Sequence, residues 1–280
     1  MKSYKVHCYA SSGTGSVNSF VVETDRVLVA IDAQRQLSHA RHALASFHDG
    51  GKPLVALLVT HEHPDHLGGT PEFLRLGGSK LPIYSSAGVA GAVQKDERGY
   101  LSLARNILGE DFADPVIGPT HSLRDGETID FDGVQFKAHE LGSGESSAMM
   151  AYEIVGEGEV FCGDLVANRM TPFLFEGRTK LWIEQINAFR RRFPEVSKLY
   201  CGHGLPGGSE LLQAQLEYLQ QVRTKVASLM TGAELNEDHK ASFRSWIESA
   251  FPGYEPVAEI PGFIEINATA VAAELARGDE

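Results

Sequence analysis

Apolar residues along the first third of the chain alternate between strand-like and helix-like spacing. Runs at Ser19–Val22 and Val27–Ile31 predict strands, whereas the spacing across Leu37–Phe47 predicts a helix. The next run, Leu54–Val59, is apolar without interruption, which is typical of a strand buried on both faces. It ends directly before a segment rich in histidine, so we expect that segment on a loop at the edge of a sheet.

The rest of the chain continues the alternation of strands and helices. From Val116 to Cys162 the apolar period becomes two, with turn signals at Asp125-Gly126 and Asp132-Gly133, which predicts a meander of short strands. Two rounds of strands, each with helices outside, predict an α/β fold with two sheets packed face to face and covered on both sides. The remaining predicted helices are 71–76, 181–193 and 209–230, and helical stretches are predicted within 88–108. The remaining predicted strands lie near Ile83 and at 198–201.

The chain carries no internal repeat and no low-complexity linker, so one main domain over residues 1–230 is the simplest division. The tail, residues 231–280, is predicted to add a helical extension packed on the same domain. Its helices are expected near 239–250 and 268–276, with a proline-containing loop between them.

The composition excludes several classes of protein. A formal net charge of -12 argues against a nucleic-acid partner, because such binding draws on Lys and Arg that neutralise phosphates. No apolar stretch of signal-peptide length follows Lys2 and Lys5, and no run approaches the roughly 20 apolar residues of a membrane helix. We therefore expect a cytoplasmic protein without a membrane partner. The cysteines are three in number and widely spaced, so they do not suggest a disulfide framework: Cys8, Cys162 and Cys201.

The segment Thr60–His66 concentrates metal-binding chemistry in a few positions. It contains the imidazoles of His61, His63 and His66 and the carboxylates of Glu62 and Asp65, which are donors expected for zinc, manganese or iron. In an extended or turn conformation, residues two apart point the same way. His61 and His63 are therefore expected to hold one metal ion, while Asp65 and His66 turn toward a second and Glu62 points elsewhere.

Two later segments are expected to reach the same sheet edge. Cys162-Gly163-Asp164 and Cys201-Gly202-His203 each follow an apolar run, so Asp164 and His203 would leave strand ends as the first segment does. Gly-Asp and Gly-His are common turn dipeptides when taken alone. Their value lies in their order after the histidine-rich segment.

With these motifs the chain resembles the metallo-β-lactamase-like hydrolases, a superfamily that includes glyoxalase II enzymes. The resemblance covers about the first 230 residues and implies a four-layer αβ/βα sandwich with two mixed sheets. It also implies two divalent metal ions, most commonly zinc, with Asp164 between them and His203 completing the second site beside Asp65 and His66. The implied reaction is attack of a metal-bound hydroxide on a small ester, thioester, lactone or phosphoester, with Asp65 as the residue that orients the hydroxide or accepts its proton.

The chain departs from the family pattern at one ligand. Where the family usually has histidine in a Gly-His turn, this chain has Gly144-Glu145, and we interpret Glu145 as a substitute metal ligand. A carboxylate is a harder donor than imidazole, so such a site would accept manganese or iron more readily. Three alternatives stay open: His139 supplies the ligand, Glu145 binds substrate, or the first metal position is weak or empty.

Two other functions fit the same residues. An iron-dependent oxidoreductase of this fold could act on sulfur compounds or oxygen, and a non-catalytic member could keep the metal site without turnover. The acidic tail argues against carrying over the basic glutathione-binding part of glyoxalase II. The expected partner is a small-molecule substrate, with 168–175 and 254–263 as candidate pocket walls, and no feature of the sequence sets the oligomeric state.

Overall fold

The computed structural model describes residues 3–47, 51–232 and 234–278 of the 280-residue chain. The first half of the chain builds a six-stranded sheet whose strand order follows the order in the sequence. The first three strands pair antiparallel and the remaining pairs are parallel. In chain order its elements are β1 (Lys5–Ala10), β2 (Asn18–Glu23), β3 (Leu28–Ile31), α1 (Leu37–Phe47), β4 (Leu54–Leu58), α2 (Pro64–Leu67), α3 (Thr70–Gly77), β5 (Ile83–Ser85), α4 (Ala87–Lys95), α5 (Tyr100–Leu108) and β6 (His121–Ser122).

The second half builds a five-stranded sheet and most of the remaining helices. Its strand order is β12-β10-β9-β8-β7, antiparallel except for the parallel pair of β10 and β12, and β11 pairs with β13 as a separate parallel ribbon. The elements are β7 (Thr128–Phe131), β8 (Val134–Gly142), β9 (Met149–Ile154), β10 (Glu159–Ala167), β11 (Met170–Thr171), α6 (Thr179–Arg192), β12 (Lys198–His203), α7 (Glu210–Leu229), α8 (Glu237–Ala250), β13 (Glu255–Pro256) and α9 (Phe263–Ala276).

The two sheets pack face to face through one apolar core. Phe20 of β2 lies with its ring centroid 5.5 Å from that of Phe161 on β10. Across the same interface the hydroxyl of Tyr152 on β9 donates to the carbonyl of Val59 at 2.8 Å. Buried residues of α1 and α3 join this core from outside the first sheet, which gives the predicted arrangement of two sheets covered by helices.

A second apolar core joins the five-stranded sheet to α6, α7 and the tail. Cys162 of β10, Trp182 of α6 and Leu219 of α7 belong to it, together with Phe243 of α8 and Val271 of α9. The tail therefore packs on the same body as the second sheet. Within the described ranges, no helix has the length and apolar content that crossing a bilayer requires.

Several element boundaries differ from those the sequence predicts. The strand β1 is not predicted, because its residues are half exposed and lack a clean alternation. The predicted meander over 116–162 is divided between the sheets: β6 joins β5 in the first sheet, and only β7 to β10 form the second. The last helix begins at Phe263 instead of 268. The helical stretches predicted over 88–108 are α4 and α5, which are separated at residues 96–99.

Candidate metal centre

The predicted ligand residues lie where strands of both sheets end. The buried strand β4 leads to Thr60 and His61, and His63 keeps an extended backbone as the residue before Pro64. Pro64 then begins the short helix α2, since proline suits the first position of a helix. Asp65 and His66 therefore lie in a short helix, where the sequence predicts a loop in an extended or turn conformation. The rings of His66 and His61 remain close, with their centroids 4.0 Å apart.

The second sheet supplies the remaining residues. Asp164 lies within β10, three residues before the strand ends at Ala167, and not beyond a strand end as predicted. His203 is the last residue of β12, and Glu145 lies in the connection between β8 and β9. Because β10 and β12 are parallel neighbours, Asp164 and His203 reach the same edge of the sheet.

The structure brings the seven predicted residues together as three overlapping groups, within each of which one possible ligand atom per residue lies no more than 4.8 Å from the others. The groups are His61 with His63 and Glu145; Asp65 with His66 and His203; and His61 with His66 and Asp164.

Asp164 lies between the histidines of the second group. Its Oδ1 is 3.4 Å from Nε2 of His66, and its Oδ2 is 3.2 Å from Nε2 of His203. The carboxylate of Asp65 approaches the same nitrogen of His203 at 3.2 Å. In the first group, the Glu145 oxygens lie 3.5 Å from Nε2 of His61 and 3.1 Å from Nδ1 of His63.

Buried polar atoms in these groups fit a cation. In the part of the chain that the structure describes, Nε2 of His61, His66 and His203, both carboxylate oxygens of Glu145 and Oδ1 of Asp164 are buried without a hydrogen-bond partner. Such atoms are rare in folded proteins, because a buried unsatisfied group costs about 1–3 kcal/mol and more when it is charged. Imidazole nitrogens and carboxylate oxygens that converge in this way are the donor set of a divalent metal site.

The other ring nitrogen of three histidines is held by a protein oxygen. His66 Nδ1 lies 2.8 Å from Oδ2 of Asp32, and His203 Nδ1 donates to the carbonyl of Ser16 at 2.6 Å. The Thr60 hydroxyl donates to Oδ2 of Asp32 at 2.8 Å and so accepts from Nδ1 of His61 at 2.9 Å. In the neutral form of each ring these bonds place the proton on Nδ1 and leave the Nε2 lone pair facing the group, which is the tautomer a metal ligand needs.

His63 is oriented in the opposite sense. Its Nδ1 faces Glu145, whereas its Nε2 lies 4.0 Å from Oε1 of Glu176. Glu176 is buried and lies 3.1 Å from a guanidinium nitrogen of Arg178 and 3.5 Å from one of Arg98. The Glu176 carboxylate, with Arg98 and Arg178 beside it, therefore lies next to the ring nitrogen of His63 that faces away from Glu145.

Sequence reasoning missed Asp32 and Glu176. Asp32 follows the buried strand β3 directly, which is the same signal that marks His61 after β4, but a single aspartate after a strand is too common to single out. Glu176 lies in the irregular segment before α6, and its role depends on a packing that no local pattern encodes.

Burial and mutual charge shift the pKa values of these groups. Burial opposes the charged form of His203, but Asp164 and Asp65 outweigh it and raise the pKa of His203 to about 10. His203 and His66 in turn hold the pKa of Asp164 well below its usual range, although burial acts in the opposite direction. Burial raises the pKa of Glu145 to about 7, because His63 only partly compensates for the loss of water.

The loop that carries Glu145 is fixed by other predicted residues. The Glu62 carboxylate accepts from the backbone nitrogen of Ser147 at 2.8 Å and also from its hydroxyl. Glu62 therefore points away from the metal groups, as predicted, and holds the Glu145 loop. His139 pairs instead with Glu153 at 2.8 Å, on the strand pair β8 and β9, and belongs to none of the three groups.

The strand that carries His203 is held in place by Asn18. Its amide nitrogen donates to the carbonyls of Cys201 at 2.9 Å and Gly204 at 2.7 Å.

Cys162 and Cys201 are fully buried, and burial raises the pKa of the Cys201 thiol to about 12. Both side chains belong to the second apolar core, where they pack as small buried residues.

A cavity opens beside the second group, with a volume of about 130 Å³. Among the three carboxylates, Asp65 is the most exposed, with 17% of its side chain accessible against 7% for Asp164 and 1% for Glu145. Asp65 therefore presents its carboxylate to the cavity.

Known proteins resemble this chain in sequence and in fold. A hydroxyacylglutathione hydrolase of Aliivibrio salmonicida is 27% identical over 195 residues, which cover 68% of this chain and 65% of the relative. One from Synechococcus is 29% identical over 153 residues, which cover 55% of this chain and 50% of the relative. The matches thus span about half to two thirds of the length of these relatives.

Solved structures share the fold at low sequence identity. A metallo-beta-lactamase from Pontibacter korlensis has a TM-score of 0.58 at 19% identity, covering 79% of this chain and 99% of that one. The DIM-1 metallo-beta-lactamase has a TM-score of 0.61 at 16% identity, covering 77% of this chain and 93% of that one. The α/β sandwich predicted from the sequence is confirmed by this likeness. The profile of the metallo-beta-lactamase superfamily matches residues 12–203, and the chain therefore belongs to that superfamily.

Proposed function

We propose that this protein is a metal-dependent hydrolase that acts on a small ester, thioester, lactone or phosphoester. The observation that carries the proposal is the convergence of four buried histidines and three carboxylates in three overlapping groups, with several ligand-type atoms left without hydrogen bonds. A thioester is the first substrate class to test, because relatives that match in sequence are named hydroxyacylglutathione hydrolases.

The proposed cofactors are two divalent metal ions, with zinc as the proposed metal. His61, His63 and Glu145 would hold the first, and Asp65, His66 and His203 would hold the second. Asp164 is the proposed link between them, since its two oxygens face different histidines. Glu145 is proposed as a ligand in place of histidine, which would let manganese or iron compete with zinc at the first position.

The chain's own residues would perform the remaining tasks. When bound, a pair of divalent ions supplies Lewis acidity and activates water near neutral pH. The carboxylate of Asp65 borders the cavity and would orient the attacking water and accept its proton at Oδ1 or Oδ2. Asp32, Thr60 and the carbonyl of Ser16 would keep the histidine rings in place during this step.

Metal content and hydrolysis test the proposal together. Protein purified without chelator is expected to hold two equivalents of divalent metal, and to hydrolyse simple thioesters or esters only when metal is present. Asp65→Asn should lower kcat by roughly 10²–10⁴-fold, the usual contribution of a positioned acid or base. A metal-loaded protein that hydrolyses none of the four substrate classes would contradict the proposal.

An iron-dependent oxidoreductase is the competing function, and only the carboxylate of Glu145 favours it. Oxygen uptake with thiol substrates would distinguish the two, because a hydrolase consumes no oxygen. A non-catalytic metal-binding member would bind two metal ions and show neither activity.

A further inference from the structure

We propose that the substrate carries an apolar group about the size of a benzene ring, held between α5 and residues 257–260 of the tail. The inference deepens the proposed function, and it rests on that function for the identity of the reacting bond. The apolar group itself is argued from the shape and lining of the cavity.

The cavity joins the metal centre to an apolar wall. His63, Asp65, Asp164 and His203 border it on one side. On the other side α5 contributes Tyr100 at its first position and then four apolar residues at helical spacing: Leu103, Ala104, Ile107 and Leu108. A substrate whose scissile bond lies at the metal centre would therefore place its neighbouring group against α5.

The tail supplies the opposite wall. Val257, Ala258 and Ile260 line the cavity, and they lie beyond residue 203, where the match to the superfamily profile ends. The segment is anchored to the second half of the fold: β13 pairs with β11, and the backbone nitrogen of Val257 donates to the carbonyl of Thr171 at 3.1 Å. The wall is thus a fixed part of this chain that the superfamily match does not include.

Phe173 connects the wall to the metal centre. Its ring centroid lies 5.1 Å from that of His63 and 5.2 Å from that of Tyr100 at the start of α5. Both contacts are edge-to-face, as aromatic pairs prefer. Phe173 is half-buried and lines the cavity, so part of its side chain faces the space for an apolar ligand.

Two residues of α5 are unusually exposed for their type. Leu103 is 44% exposed and Ile107 is 61% exposed, one turn apart and both at the cavity. Apolar side chains that are exposed together in this way commonly mark a binding site. An apolar ligand group would cover them.

The volume sets the size of the group. A cavity of about 150 Å³ lined by apolar residues accommodates benzene, and this cavity measures about 130 Å³. A phenyl ring or an alkyl chain of about six carbons therefore matches, whereas acetyl leaves most of the space to water. Arg35 lines the same cavity, and its buried Nε has no hydrogen bond among the described residues. The cavity therefore offers an anionic probe one cation, beside the carboxylates of Glu259, Asp65 and Asp164.

Binding of small carboxylates tests the pocket without requiring turnover. Phenylacetate and hexanoate are titrated into the zinc-loaded protein by calorimetry, with acetate as the matched probe that lacks the apolar group. We expect phenylacetate to bind at least tenfold more tightly than acetate, from the apolar area that it buries.

Two substitutions on the helical surface locate the effect. Leu103→Gln should remove most of the tenfold difference, whereas Leu181→Gln should leave it unchanged. Leu181 is a matched control, because it is 41% exposed on α6 and does not line the cavity. Both positions are at the surface, where substitutions usually change stability by no more than about 0.5 kcal/mol.

A kinetic series separates this inference from the proposed function. Acetyl and phenylacetyl thioesters of one hydrophilic thiol should differ at least tenfold in kcat/KM in favour of phenylacetyl. Equal binding of acetate and phenylacetate, or the same loss in both variants, would overturn the pocket even if every thioester is hydrolysed. If none of the four substrate classes reacts but phenylacetate keeps its Leu103-dependent advantage, the pocket stands and the hydrolase proposal fails.

Discussion

Glu145 is the residue at which this chain departs from the usual ligand pattern of its superfamily. Its carboxylate faces both His61 and His63 and is almost fully buried. Water does not stabilise its charge there, and burial raises the pKa of its carboxyl to about 7. If Glu145 is a metal ligand as proposed, a proton and a metal ion would compete for its carboxylate near neutral pH. The charge and hardness of this one group are expected to set the metal preference of the first position.

Replacing Glu145 with histidine is expected to shift that preference toward zinc. In Glu145→His the ratio of the manganese to the zinc Kd should rise at least tenfold, because imidazole is a softer donor and the substitution removes a negative charge. Competitive metal titration measures the ratio. The matched variant Glu145→Gln keeps the shape without the charge and should lower the metal content toward one equivalent. An unchanged ratio in Glu145→His would mean that Glu145 is not a ligand.

Glu176 is expected to position His63 from behind. Glu176→Gln should weaken metal binding by about tenfold, the lower end of the range for removing a carboxylate partner of a ligating histidine. The control is Glu153→Gln, which removes the carboxylate partner of His139, a histidine outside the three groups. Equal metal affinities in the two variants would argue against a positioning role for Glu176. Thermal unfolding of both variants reports any loss of stability separately.

The site residues that the sequence predicts are marked by patterns in short segments of the chain, whereas the residues it does not predict depend on contacts between distant segments. His61, His63, Asp65 and His66 stand in one segment, and Asp164 and His203 follow apolar runs, so strand ends and donor chemistry suffice to select them. Asp32 and Glu176 act through partners 34 and more than 100 positions away, respectively, and only the packed structure pairs them with His66 and His63. Supporting residues of this kind carry no periodicity of their own.

At the scale of elements, the connection from β3 to α1 is fixed against the turn between α2 and α3. The backbone nitrogen of Ala33 donates to the carbonyl of His66 at 2.9 Å, and that of Gly69 donates to the carbonyl of Gln34 at 3.0 Å. These two bonds set the distance between Asp32 and His66. The approach is close because residue 69 has no side chain: a Cβ there would lie 2.1 Å from the carbonyl oxygen of Ala33.

Gly69→Ala is therefore expected to destabilise the protein by about 1–3 kcal/mol, the cost of forcing extra volume into a packed region. The neighbouring atoms include backbone, which cannot move away as a flexible side chain can. The matched control is Gly91→Ala within α4, where an added Cβ meets nothing within 4 Å and where alanine should stabilise by about 0.5–1 kcal/mol. Urea unfolding of both variants measures the difference, and equal midpoints would show that the approach is not tight.

Helices and strands are predicted correctly where the apolar periodicity of the sequence matches the packing of the element in the fold. The helix Leu37–Phe47 is found at its predicted bounds, since its apolar stripe faces α3 and the first sheet. The short helix α2 is missed because four residues hold too few positions for a helical period, and Pro64 alone does not show whether a turn or a helix follows. The division at residue 230 stays a prediction, although tail residues share the second apolar core.

Across the molecule as a whole, ionisable groups are concentrated at the candidate metal centre, which the formal net charge of -12 does not show. Asp65, Asp164 and Glu145 lie together with four histidines in a region from which water is largely excluded. Without metal, protons on the histidines are what balance the carboxylates. This is why Asp164 and Asp65 raise the pKa of His203 to about 10 against the effect of burial.

The metal-free protein is accordingly expected to lose stability as the pH rises from about 6.5 to 10. A histidine whose pKa is raised in the folded state contributes stability that is present below its unfolded value, near 6.5, and is lost as the pH rises through about 10. Glu145 acts in the same direction between about 4.3 and 7, because its folded pKa is also raised. In the metal-loaded protein His203 would be a neutral ligand, so this loss should be absent.

Midpoints of thermal unfolding, measured from pH 6.5 to 10 with chelator and with zinc, should diverge steadily. The metal-free variant His203→Gln should lose less stability over this range than the metal-free wild type, which separates the effect from the titration of surface lysines and tyrosines. Parallel curves with and without zinc would show that His203 holds no extra proton in the metal-free state.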